Sequence, residues 1–171
     1  MTNPMQEVRL EKVVVNIGIG SNDNLFQNAK ALIQKLTGRN AVQTTAKKRD
    51  PSLGIRRGQI IGSMVTLRKD AAKDMLKRAL EANNFVIREK SINDNSISFG
   101  IKEYIDFNAV KYDPKIGMLG MNINANFSRR GRRVEYRRRV RSVAADEHRK
   151  VTKAEIIEYV TKHFGAKVSS E

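Results

Sequence analysis

The sequence predicts an α+β protein: a mainly antiparallel sheet, helices packed on one of its faces, and a long basic loop projecting from it. Three observations carry this expectation. Val13, Val14, Val15 and Ile17 form the β-branched run of a largely buried strand. Residues 60–68 and 118–127 alternate in polarity, as half-buried strands do. Two other stretches space their apolar side chains at helical intervals: Leu25, Ala29, Leu32, Ile33 and Leu36, then Ala72, Met75, Leu76, Ala79 and Leu80.

The first strand covers 8–19 and ends at Gly18-Ile19-Gly20. Residues 21–24 offer several N-cap side chains for the first helix, and Gly38 suits its end. A short strand follows at 41–46, then a basic loop at 46–58 containing Pro51, Gly54 and Gly58. In the next strand Ile61, Ser63, Val65 and Leu67 share one face, and Gly62, Met64, Thr66 and Arg68 the other. With helices on one side only, that second face is free for a ligand, so Thr66 and Arg68 point at it.

Asp70 is expected to cap the second helix, which stops near Asn83-Asn84. Residues 85–90 and 96–101 read as a pair of strands around Asn93-Asp94-Asn95. A turn-rich stretch at 112–117 precedes a strand whose Met121, Ile123, Ala125 and Phe127 line one side. The arginine-rich segment 128–141 fits either an extension of that strand or an ordered arm. Thr152-Lys153-Ala154-Glu155 is a capping box for a terminal helix at about 152–164, with Ile156, Ile157, Val160 and Phe164 as its apolar face. Gly165 ends it, and the tail beyond is expected to be loose. With no repeat or low-complexity linker, residues 1–171 are expected to form a single domain.

Charge narrows the function. The formal net charge is +15, and 13 of it sits in two stretches. Residues 44–69 carry seven Lys/Arg against Asp50, and residues 128–141 carry eight Arg against Glu135. Positive charge gathered in this way on a nearly balanced body points to a polyanion. Arginine's planar fork suits phosphate, and eight of them within fourteen residues repel one another unless something neutralises them. Tyr136 is the one aromatic among those arginines, so phosphate and shape recognition of a folded RNA fits better than base stacking. A sequence-tolerant DNA-binding protein is the alternative nucleic-acid reading, although the arginines follow a strand instead of lining a helix.

Other classes fare worse. The chain has no cysteine, and its two histidines, His148 and His163, are far apart, so no metal site is expected. Gly18-Ile19-Gly20 opens a dinucleotide-like pattern, but its third glycine position is Asp23, whose charge would repel a phosphate. No phosphate-loop or nucleophile-elbow motif occurs, and Asp146-Glu147-His148 reads as a solvated turn. No catalytic residue and no cofactor are expected. With neither a signal peptide nor a membrane-length apolar run, the expected location is cytoplasmic.

Several blocks resemble the large ribosomal subunit protein five family. They are Val13 through Gly20, Leu36-Thr37-Gly38, Thr44 through Lys48, Gly54 through Gly58, Gly62 through Arg68, Phe99 through Glu103, and Lys111 through Met121. They occur in family order between about residues 8 and 127. The Tyr112-Asp113-Pro114 block and the arginines after it resemble the archaeal and eukaryotic branch, and the short length resembles archaeal members. One stretch departs from the family: Asn93 through Ser98 replaces a longer Gly- and aromatic-rich segment.

The resemblance implies a non-enzymatic constituent of the large ribosomal subunit that binds 5S rRNA and helps seat it in the central protuberance. It implies that Asn16, Gly18, Arg39, Gln43, Thr44, Thr45, Thr66 and Arg68 contact the 5S rRNA. Through Lys47, Lys48, Arg49, Arg56 and Arg57 the basic loop would reach the peptidyl-site tRNA. Neighbouring ribosomal proteins, including one in the small-subunit head, complete the implied partners. Charge alone assigns Arg129, Arg130, Arg132, Arg133, Arg137, Arg138, Arg139 and Arg141 to further contacts with large-subunit rRNA.

Overall fold

The computed structural model describes residues 4–20, 24–108, 110–143 and 150–169. Its sheet is built outward from β1 (Val8–Gly18), whose β-branched residues leave it buried between two antiparallel neighbours. These are β3 (Ile60–Leu67) and β7 (Met121–Arg129). With β2 (Val42–Thr45), β5 (Ile92–Asn93) and β6 (Ser96–Ile101), the order across the six-stranded sheet is β2-β3-β1-β7-β6-β5. Every pairing in it is antiparallel.

Register decides which side chains share a face. Val13 lies between Leu67 and Ala125, and Val15 between Val65 and Ile123, so one face is apolar across three strands. Helices α1 (Asn24–Thr37), α2 (Asp70–Ala82) and α4 (Lys153–Phe164) contribute their apolar stripes to the same buried cluster. The ring of Phe127 meets that of Tyr159 edge-on at 5.4 Å, which locks β7 against α4.

The helix ends follow local chemistry. Gly38 and Gly165, both at φ 67°, close α1 and α4 in the left-handed conformation that costs glycine little. Glu155 accepts from the Thr152 amide at 3.0 Å, as the capping box requires. Asp70 differs from expectation: it is the first residue of α2, and Lys69, at φ 58° with no side-chain cap bond, holds the cap position. The chain leaves β3 sharply through that backbone conformation at Lys69, and the helix starts one residue earlier than expected, at Asp70. Asp70 then sits in the first turn, where the helix dipole favours a carboxylate. The side-chain caps sought at 21–23 lie outside the described residues, as do Asp23 and Asp146-Glu147-His148.

The expected strand at 85–90 is shorter and has a different mate. Asn84 and Phe85, at φ 54° and 56°, turn the chain sharply after α2, and β4 covers only Val86–Arg88 before a 3-10 turn at Glu89–Ser91. β4 pairs in parallel with β8 (Lys167–Ser169), so the tail after Gly165 is ordered in part instead of loose. The Lys167 amide donates to the Phe85 carbonyl at 2.7 Å to start that pair. The hairpin leading into β6 is made instead by β5, through a two-residue turn of Asp94 and Asn95. Only the first residues of the arginine segment extend the strand. Ser128 and Arg129 finish β7, and the chain then leaves the sheet, forming a single turn of helix, α3 (Arg133–Tyr136).

Candidate nucleic-acid interface

The same registers that bury one face of the sheet set out the other. One row across it reads Thr66, Val14, Asn124, Ser98; the next reads Val42, Met64, Asn16, Asn122, Gly100; Thr44, Gly62 and Gly18 continue the pattern. Lys12, Asn126 and Ser96 make a further row. These outward side chains are exposed or half-buried, except at Gly62. The face is therefore mostly amides, hydroxyls and bare backbone, with Val14, Val42 and Met64 as its apolar members. An amide both donates and accepts, so such a surface can meet phosphate oxygens, 2′-hydroxyls and base edges alike.

Glycine shapes one end of this face. A Cβ on Gly62 would lie 2.6 Å from the Ile17 carbonyl and 2.7 Å from Thr44 Oγ1, so β2, β3 and β1 close up only because none is there. Gly18, Gly100 and Gly120 share a shallow hollow with Asn122, where backbone is the floor.

Of the residues expected at this surface, the structure brings Asn16, Gly18, Thr44, Thr66 and Arg68 to one side. Arg68 is half-exposed, with its guanidinium 3.7 Å from Glu11. Gln43 lies opposite inward-facing Ser63 and so belongs to the other side of the edge strand. Thr45 follows a bulge, and Arg39 is exposed in the turn after α1. The alternation in 118–127 identifies the inward residues of β7, and its complement is the part that sequence reasoning missed. Asn122, Asn124 and Asn126 occupy three successive outward positions of β7. An asparagine at each alternate position of an apolar strand was the available signal.

The basic loop is a hairpin continuing β2 and β3. The Ala46 amide donates to the Gln59 carbonyl at 2.8 Å, and Asp50 and Ile55 exchange two backbone bonds of 3.0 Å. Its single acid is taken up by the turn: the Asp50 carboxylate accepts from the Ser52 hydroxyl at 2.6 Å and the Ser52 amide at 3.1 Å. The Ser52 hydroxyl, foremost, holds the Asp50 carboxyl below its ordinary value. Lys47, Lys48, Arg49, Arg56 and Arg57 are all exposed and form no ion pair within the described residues.

The arginine segment divides into two groups. Arg129 is 12% exposed and bound to Glu155, Arg130 lies 3.8 Å from Glu7, and Arg132 lies 3.6 Å from Glu135. Arg133, Arg137, Arg138, Arg139 and Arg141 are exposed without an acidic partner among the described residues. Arg137 and Arg141 fold back to donate to the carbonyls of Val140 and Arg137. Among the described residues no three His, Cys, Asp or Glu could hold a metal ion, and no helix is long and apolar enough to cross a membrane.

An antiparallel α+β fold with one helix-free polar face and exposed cations at its margin has the chemistry of a surface for a polyanion. Comparison with known proteins makes this specific. Residues 3–56 match the family model described as Ribosomal protein L5, and residues 60–159 match the model for the C-terminus of the same ribosomal family. The chain belongs to the ribosomal protein L5 family, whose members are structural and not enzymes. It is 42% identical to large ribosomal subunit protein uL5 of Pyrobaculum aerophilum over 97% of this chain and 93% of the relative. With the protein of the same name from Nanoarchaeum equitans it shares 40% identity over 98% and 99% of the two chains, and with that of Archaeoglobus fulgidus 41% over 92% and 88%. These archaeal relatives agree with the branch expected from the Tyr112-Asp113-Pro114 block and the short chain.

Proposed function

We propose that this protein is a structural component of the large ribosomal subunit that holds 5S rRNA against the helix-free face of its sheet and helps attach it in the central protuberance. The observation that carries this reading is the face itself: Asn16, Asn122, Asn124, Asn126, Thr66 and Ser98 lie in register across four strands, with Arg68 at the margin. A surface rich in hydrogen-bonding groups and poor in rings reads shape, ribose and phosphate. Gly18 leaves the backbone bare beside it, allowing close approach.

The basic loop serves a second partner, the peptidyl-site tRNA, through Lys47, Lys48, Arg49, Arg56 and Arg57. The exposed arginines of 130–141 meet large-subunit rRNA, and contact with a protein of the small-subunit head completes the bridge. Arg129 is reserved for Glu155 and leaves this set. The alternative, another kind of basic nucleic-acid-binding protein, predicts equal binding to duplex DNA.

The test is a filter-binding titration of 5S rRNA, with duplex DNA of equal length as competitor. Asn124→Asp keeps the side chain's shape while setting a carboxylate against phosphate, and Arg68→Glu reverses the marginal charge. Both should weaken 5S binding roughly tenfold or more while thermal unfolding stays unchanged. Unaltered affinity, or equal competition by duplex DNA, overturns the reading. Deleting the loop tip should spare 5S binding and reduce tRNA retention on assembled ribosomes.

A further inference from the structure

We infer that the helix-free face carries a subsite for one unpaired nucleobase of its RNA partner, made by Val42 and Met64 with Val14 beside them. The three lie on adjacent strands. Val42 faces Met64 across β2 and β3, and Val14 faces Thr66, the next outward residue of β3, so Val14 is diagonal to Met64. Direct cross-strand neighbours on one face stand about 5 Å apart and diagonal ones about 7 Å, so the three side chains form one patch. Val42 is 61% exposed and Met64 36%, and none of the three belongs to the buried core or packs against it. The outward positions around them are polar or glycine: Thr44, Asn16, Thr66 and Asn124, with Gly62 beside Thr44. Contiguous apolar side chains with a polar rim mark a contact site.

The ground next to the patch is low. Gly18 is exposed, and a Cβ there would meet nothing within 4 Å, so a flat ring resting on Met64 has open space over Gly18, diagonal to it. Asn16 lies directly across from Met64, and Thr44 lies two residues along from Val42. An amide and a hydroxyl therefore stand at the edge of such a ring. An asparagine amide can match a base edge with one donor and one acceptor.

These surroundings select the occupant. A paired A-form helix keeps its base faces stacked and shows ribose and phosphate, which the asparagines suit and three apolar side chains do not. Only a base turned out of its stack presents a flat apolar face with polar edges. Continuity points the same way: Val42 and Met64 extend the row of Asn16, Asn122 and Gly100, so RNA held on the amides passes over them. A second copy of the chain would bring another +15, and two such charges repel. An apolar segment of a neighbouring protein would have to displace RNA from the same row.

This subsite rests on the 5S rRNA reading of the face, and the experiment keeps the two apart. Val42→Thr combined with Met64→Gln preserves the shape of both side chains and removes their apolar character; both positions are exposed, so thermal unfolding should not change. Parent and double variant are titrated by filter binding with intact 5S rRNA and with 5S rRNAs carrying an abasic ribose at each unpaired position in turn. The double variant should bind intact 5S rRNA at least fivefold more weakly, with the slope of log affinity against log salt unaltered because no phosphate contact is lost. One abasic position should weaken the parent at least fivefold and leave the double variant's affinity as it was. Unaltered affinity of the double variant, a changed salt slope, or no abasic position that affects the two proteins differently overturns the inference. Normal 5S binding with poorer retention in large subunits would give the patch to a protein partner and overturns it as well. Failure of the parent to bind 5S rRNA at all overturns the proposed function instead.

Discussion

Arg129, at the end of β7, places its guanidinium Nη2 2.5 Å from Oε1 of Glu155 in the first turn of α4. The other oxygen of Glu155 accepts from the Thr152 amide and hydroxyl, at 3.0 and 3.2 Å. One carboxylate thus caps a helix and fastens it to the sheet. Burial pushes the Glu155 carboxyl up, but the Thr152 bonds and the Arg129 charge together outweigh it and hold the group below its ordinary value of 4.5. A carboxyl lowered by folding stabilises fully above its unfolded pKa, and that contribution is lost as pH falls through the folded one. Glu155→Gln can still cap but cannot hold the arginine's charge. It should cost about 1 kcal/mol in urea unfolding at pH 7, with the gap to the parent narrowing as pH falls below 4.5.

Ser63 faces the apolar side of the sheet, fully buried, and its hydroxyl has no partner among the described residues. A buried hydroxyl without a hydrogen bond is destabilising, so Ser63→Ala should raise unfolding stability by about 1 kcal/mol. A loss of that size in urea titration would show that the hydroxyl is satisfied.

Gly62 and Gly18 face each other across β1 and β3 yet should respond oppositely. Gly62→Ala forces a methyl into the Ile17 carbonyl and should cost about 1–3 kcal/mol. Gly18→Ala meets nothing within 4 Å and should leave thermal stability unchanged, while lowering 5S rRNA affinity where the bare backbone is approached. Calorimetry and filter binding on the two variants separate folding from binding.

Neutralising Arg137, Arg138 and Arg139 together with Gln should reduce the slope of log affinity against log salt by about 0.7–0.9 for each phosphate that the variant no longer neutralises. Arg129→Gln should instead lower stability and leave that slope alone, because its guanidinium is held by Glu155. Salt titrations of rRNA binding check both.

What could be read from the sequence was whatever local chemistry enforces. The valines of β1, the alternation of β3, the stripe of α2 and the Thr152 capping box each specify structure within a few residues, and all are found. Pairing between distant segments was not legible in the same way. Nothing in Val86-Ile87-Arg88 names Lys167–Ser169 as its mate, since the positive φ at Asn84 and Phe85 that turns it there is a response to packing. Asp70 has the side chain of a cap but not its position, because the backbone at Lys69 decides where the helix begins. The place of Thr66 and Arg68 on the helix-free face was legible by alternation alone. Arg129 was hidden by its neighbours, for in a run of arginines the buried one has no distinguishing mark until its acid is located.

The sheet interleaves the two parts of the chain that the family models match separately. β2 and β1 come from residues 3–56, β3 and β7 from 60–159, and their spatial order is β2-β3-β1-β7. A cut in the basic loop would therefore produce two fragments that each lack the strands to satisfy their own. Neither could fold in isolation, yet mixed together they should knit into a native-like heterodimer, as two halves of a zip close only on each other.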